Sequence, residues 1–189
     1  MEMETSEDWE YTGTEDEHIP IDLFCSKEDA RVPRGTLEFT NASGNMVFKV
    51  QHQPPNPKLL LDSNDNPLFS IHHRHNGTWK CYKGNGDENK ELVLKVKRTL
   101  KTISRVKLKV FFAGERLNKG VCDLKVIGSP FMRSCSISKD GDLVAQSSLM
   151  YNLIERYPSR DKFRLTIFPG IIDHSLIVAL FVIFLKGRK

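Results

Sequence analysis

Catalytic signatures are the first thing missing from this chain of 189 residues. It has no nucleophile elbow, no H-E-x-x-H and no P-loop, so no residue stands out as catalytic and a non-enzymatic protein is expected. The four cysteines Cys25, Cys81, Cys122 and Cys135 are widely spaced and form no C-x-x-C pair. In an intracellular chain such thiols are reduced and structural. The first residues lack the basic and apolar regions of a secretory signal, no Gly follows Met1, and the closing KGRK has no Cys. The expectation is a protein that is neither secreted nor lipidated: cytoplasmic, peripheral at the plasma membrane, or nuclear. His72-His73-Arg74-His75 has no Cys or carboxylate at ligand spacing, and Arg74 would oppose a cation, so this stretch reads as a polar loop and no metal or cofactor is expected. Gly84-Asn85-Gly86 lacks the third glycine and the helix start of a phosphate fingerprint, and reads as a turn.

A membrane-spanning run is also missing. The longest unbroken apolar stretch, residues 176–185, has ten residues. Crossing a bilayer takes about 20. A short helix that is apolar on every side must be enclosed on every side. Asp173 stands just before it, placed to cap the helix by accepting orphan backbone N–H groups.

Charge is present but unevenly shared. Residues 1–18 carry eight acids and no Lys or Arg. Removing that −8 from the formal net charge of +4 leaves +12 on residues 19–189. The acidic leader has too little apolar surface to offset its ordering entropy, so a disordered tail over 1–18 and a folded basic domain over 19–189 are expected. Such a tail can compete electrostatically with an anionic partner for the basic body.

Turn signals recur at short intervals through that body. Residues 36–40 and 46–50 flank Asn41-Ala42-Ser43-Gly44-Asn45, and residues 59–62 and 67–72 flank Ser63-Asn64-Asp65-Asn66, both hairpin patterns. A further strand is expected at 78–83. Punctuation falls again at Asn118-Lys119-Gly120, Gly128-Ser129-Pro130, Lys139-Asp140-Gly141 and Pro158-Ser159. Period-two alternation is clearest over 103–110, where Val106, Leu108 and Val110 face one way and Arg105, Lys107 and Lys109 the other. Leu94 and Val96 alternate likewise with Lys95 and Lys97, and 163–168 reads as a last strand. Antiparallel strands followed by one wholly apolar helix have a natural solution: the sheet closes into a barrel and the helix threads it.

Particular stretches also resemble the plant LURP-one-related family. They are Val47-Phe48-Lys49-Val50, Leu59-Leu60-Leu61-Asp62, Trp79-Lys80-Cys81-Tyr82-Lys83-Gly84, Arg133-Ser134-Cys135-Ser136-Ile137, Val144-Ala145-Gln146 and Phe163-Arg164-Leu165-Thr166-Ile167. Pro169, Asp173 and Ile177-Val178-Ala179-Leu180 match the family's closing strand and helix. The similarity spans about residues 19–185. It departs where the family has Arg before the Trp and this chain has Thr78, and over 147–158. The resemblance implies a mainly β, tubby-like fold: a closed antiparallel barrel of about twelve strands around a central hydrophobic C-terminal helix. It also implies kinship with phospholipid scramblases and membrane-tethered transcription regulators, and a link to plant defence.

The candidate binding residues lie between Glu91 and Glu115, a stretch without an acid: Lys95, Lys97, Arg98, Lys101, Arg105, Lys107 and Lys109. On one strand face, cations two residues apart sit about 6–7 Å from each other, a spacing that suits several phosphates. The plainer reading is a solvated outer face with lysines protecting strand edges. The sharper one is a lipid or polyanion site, with acidic phospholipids, phosphoinositides among them, as the expected partner and nucleic acid or a protein partner as the alternative. A monomer is expected.

Overall fold

Alternate side chains along each strand point to opposite sides, and here one side is buried almost without exception. In the strand Val106–Phe112, Val106, Leu108 and Val110 are buried while Lys107 and Lys109 are exposed. The computed structural model describes residues 19–26, 36–52, 55–86, 91–102, 104–114, 120–150, 162–170 and 172–186. The acidic leader and the turn signals at Asn118-Lys119 and Pro158-Ser159 lie outside them.

The strands are β1 (Ile21–Ser26), β2 (Leu37–Thr40), β3 (Met46–Gln51), β4 (Lys58–Asp62), β5 (Pro67–Arg74) and β6 (Thr78–Lys83). They continue as β7 (Leu92–Lys101), β8 (Val106–Phe112), β9 (Leu124–Ser129), β10 (Ser134–Lys139), β11 (Asp142–Leu149) and β12 (Lys162–Ile167). Each pairs antiparallel with its sequence neighbours, and β1 pairs with β12 from Ile21↔Ile167 to Ser26↔Lys162, so the sheet closes. Closure removes the exposed edges that an open sheet must protect. The helix α1 (His174–Lys186) then supplies the filling. Its 13 residues rise about 20 Å. None of residues 177–184 is more than 3 % exposed, and they form one core with the inward residues of the strands. No helix among the described residues is long and apolar enough to cross a membrane.

Aromatic contacts fix the helix against the wall. Phe181 lies 5.3 Å, centroid to centroid, from Phe163 of β12 and 6.3 Å from Phe39 of β2, and Phe184 lies 6.2 Å from it along the helix. At the other end Asp173 caps α1 as expected: its carboxylate accepts the Ser175 backbone N–H at 2.7 Å and bonds the Ser175 hydroxyl. Its carbonyl accepts the first intrahelical bonds, from Leu176 and Ile177.

Turn chemistry explains most hairpins. The Asn41 side chain accepts N–H bonds from Ser43 and Asn45, and Asp62 does the same for Asn64 and Asn66. Bonds to Asn66 hold the Asp62 carboxyl below its ordinary range. Asp140 and Gly141, both at positive φ, make the two-residue link between β10 and β11.

Three expectations change. Gly128 and Ser129 are not turn residues; they end β9, with the turn beginning at Pro130. A Cβ on Gly128 would come within 2.2 Å of the Ser134 carbonyl oxygen, so glycine is there for close strand approach. The strand expected over 67–72 runs on through His73 and Arg74, which pair with Trp79 and Thr78 in β5 rather than lying in a loop. The strand expected over 103–110 starts only at Val106. The preceding turn has no Gly, Pro or Asn to announce it. Thr102 makes it, its hydroxyl accepting the Arg105 N–H at 3.0 Å and its own N–H reaching the Arg105 carbonyl at 2.8 Å.

Candidate functional site

Lys95 and Lys97 on β7, Lys107 and Lys109 on β8 and Lys125 on β9 face outward because the pleat alternates and their neighbours in the strand point inward. Strand register then decides which cations meet. Lys97 lies directly opposite Lys109, and Lys109 directly opposite Lys125. Neighbouring strands are about 4.8 Å apart, so these three ammonium groups share one transverse row. All three are exposed. In the row on one side of this one Lys95 lies opposite Lys80, and in the row on the other side Lys107 stands between Leu100 and Ile127. None of Lys80, Lys95, Lys97, Lys107, Lys109 and Lys125 makes an ion pair among the described residues. Like charges placed opposite each other in a sheet are destabilising.

The sequence cluster therefore divides. Lys95, Lys97, Lys107 and Lys109 stay on the outer face. Arg98 pairs with the inward-facing Leu108 and places its guanidinium 5.8 Å from the Trp79 ring centroid, at the mouth of the barrel. A bulge between Arg98 and Leu100 then shifts the alternation by one residue. It turns Leu100 outward, beside Lys107, and sets Lys101 opposite the inward-facing Val106. Arg105 does not continue the row of Lys107 and Lys109, because it sits in the Thr102 turn. Lys80 and Lys125 were missed. Each stands between inward apolar neighbours in its own strand, and only pairing brings either to the cluster.

Beyond Lys107 the same side of the barrel ends in apolar tips. Leu100 is 37 % exposed, and in the β9–β10 turn Phe131 and Met132 are 36 % and 41 % exposed. Between the β7–β8 and β9–β10 turns lies a notch of about 740 Å³, with Val106, Pro130, Phe131 and Met132 among its walls and Lys101 at its edge.

A second recess opens at the C-terminal end of α1. Its floor is Ile71, Val182 and Ile183; Lys58, His73, Arg74 and Lys186 stand around it. Trp79 forms one wall, its ring 4.9 Å from that of His73. Desolvation lowers the His73 pKa from its ordinary value, and the charges of Arg98, His75 and Lys58 lower it further. Thiol chemistry has little footing: the described cysteines are unbridged, and burial pushes Cys81 and Cys135 up to about 12. Among the described residues no three His, Cys, Asp or Glu gather as a metal site.

The model of the family described as LURP-one-related matches residues 21–185. The chain belongs to the LURP-one-related family. It is 48 % identical to protein LURP-one-related 7 of Arabidopsis thaliana over 169 residues, covering 89 % of this chain and 91 % of that protein. It is 28 % identical to LURP-one-related 10 of the same plant, covering 87 % of this chain and 88 % of the relative. An X-ray structure of another Arabidopsis thaliana protein superposes with a TM-score of 0.62 at 26 % identity, covering 88 % of this chain and 90 % of that one. The closed barrel with one C-terminal helix is thus shared with a solved structure. The names of these LURP-one-related proteins assign no enzymatic activity. Where the family resemblance carries Arg before the Trp, this LURP-one-related chain has Thr78, buried and directly opposite Lys97.

Proposed function

We propose that this protein is a non-enzymatic module that attaches reversibly to acidic phospholipid surfaces, with the β7–β9 face against the headgroups. The observation that carries this reading is the row Lys97, Lys109 and Lys125, three cations abreast without an acidic partner among the described residues. Each Lys near an anionic leaflet is worth about 1 kcal/mol. The three would give about 3 kcal/mol, corresponding to affinity on the order of several millimolar, which suits reversible docking. The exposed Leu100, Phe131 and Met132 beyond the row favour a bilayer over nucleic acid. Apolar side chains gain from the interfacial layer, whereas a phosphate backbone offers them nothing comparable. Phosphoinositide headgroups, with several phosphates in reach of one row, are the preferred target within this reading. Peripheral attachment at a cytoplasmic membrane face follows from it, and a part in plant defence or membrane-tethered regulation rests on the family resemblance alone.

Flotation with phosphatidylcholine vesicles containing phosphatidylserine, or a phosphoinositide at matched surface charge, tests the proposal across a salt series. Combined Lys97→Gln, Lys109→Gln and Lys125→Gln should weaken binding about 100-fold at low salt, from about 1 kcal/mol per cation. Unchanged binding would remove the strand face from consideration. An equal loss for a short DNA duplex and for vesicles of every composition would instead mark a general polyanion surface.

A further inference from the structure

The recess at the end of α1 lies apart from the β7–β9 row, and the strand face gives no account of it. Its described lining residues include cations and imidazoles but no carboxylate. Lys58, Arg74 and Lys186 bring three fixed positive charges to it, from β4, β5 and α1, and His52, His72 and His73 add three imidazoles. The C-terminal end of a helix contributes only about half a negative charge. Among the described lining residues the balance is therefore positive. Beneath the charges the floor is apolar, and the volume is about 360 Å³, at the small end of ligand pockets. Trp79 does not offer a free stacking face, since it is 3 % exposed and both His73 and Arg98 pack on it. It serves as a wall.

We infer that this pocket binds a small amphipathic organic anion, its apolar body on Ile71, Val182 and Ile183 and its anionic head between Lys58, His73, Arg74 and Lys186. A head of one or two negative charges sits among cations that the fold already holds together, and the apolar body lies against the narrow strip of apolar surface that Ile71, Val182 and Ile183 leave at the end of the plug. His73 makes such binding pH-dependent. The groups around it are Lys58 on β4, Arg98 on β7, His75 in the β5–β6 turn, His72 and Arg74 on its own strand, His52 after β3 and Lys186 on α1. Desolvation first, and then the charges of Arg98, His75 and Lys58, disfavour the charged form of the His73 imidazole. A bound anion reverses that preference, so binding takes up a proton and tightens as pH falls.

n-Octyl sulfate is a suitable probe because its charge is constant from pH 5 to 8. Titration into the full chain, followed by the Trp79 indole N–H resonance, should give saturable one-to-one binding at least 10-fold tighter than either inorganic sulfate or neutral octyl glucoside. Arg74→Met with Lys186→Met, both exposed positions, should weaken it about 10-fold or more. The affinity should rise as pH falls from 8 to 5.5 and lose most of that rise in His73→Gln. The Lys97, Lys109 and Lys125 triple variant should keep octyl sulfate binding, while the Arg74 and Lys186 variant keeps vesicle binding. Loss of vesicle binding alone would thus strike the strand face and not the pocket. No movement of the Trp79 signal, or equal affinity in the Arg74 and Lys186 variant, would overturn the pocket; an unchanged pH profile in His73→Gln would remove His73 from it.

Discussion

The two ends of α1 are finished in opposite ways. At the first, Asp173 supplies the anion that the helix N-terminus needs, and its side chain satisfies the Ser175 N–H from within the chain. At the second, the described surroundings hold more positive charge than the helix end can use, around a recess with an apolar floor. One end is locally complete, and the other is set for something from outside. The contrast separates residues that keep the plug in place from residues free to serve binding.

The largest expected effect is on the plug itself. Phe181→Ala removes the ring that touches Phe39, Phe163 and Phe184, and should cost about 3–5 kcal/mol of unfolding free energy in urea titrations. A loss below about 1 kcal/mol would mean that α1 is not the centre of the core. A smaller effect belongs to the completed end: Asp173→Ala should cost about 0.5–2 kcal/mol by the same measurement. No loss there would erase the difference drawn between the two ends. The smallest effect has the opposite sign. Lys109→Gln removes the middle of three abreast cations, and should raise stability by about 0.2–1 kcal/mol at low salt while weakening vesicle binding. A lowered melting temperature would show that the row serves the fold.

Much of the fold was legible because alternation and turn chemistry are local. Val106, Leu108 and Val110 against Lys107 and Lys109 announce a strand with one buried side, and the stretches 41–45 and 63–66 announce their own turns. The Thr102 turn was not legible, since a threonine hydroxyl did the work usually signalled by Gly, Pro or Asn. Gly128 misled for the converse reason: a glycine needed for close strand approach looks, along the chain, like a glycine needed for a turn. The cationic site was half visible. Lys95 to Lys109 stood out as a run, whereas Lys80 and Lys125, isolated between apolar neighbours, acquired meaning only from register.

By itself the sequence determined that this chain must enclose its last apolar segment, because ten consecutive apolar residues are too few to span a bilayer and too many to leave in water. It also determined which side of most strands is cationic, since the pleat assigns faces two residues at a time. Tertiary structure decided which cations stand together. A bulge at Arg98 to Leu100 and the pairing of β7, β8 and β9 sent Arg98 to the mouth, turned Lys101 away and set Lys97, Lys109 and Lys125 abreast. Electrostatics acts through distances in space, and those distances exist only once the sheet has closed.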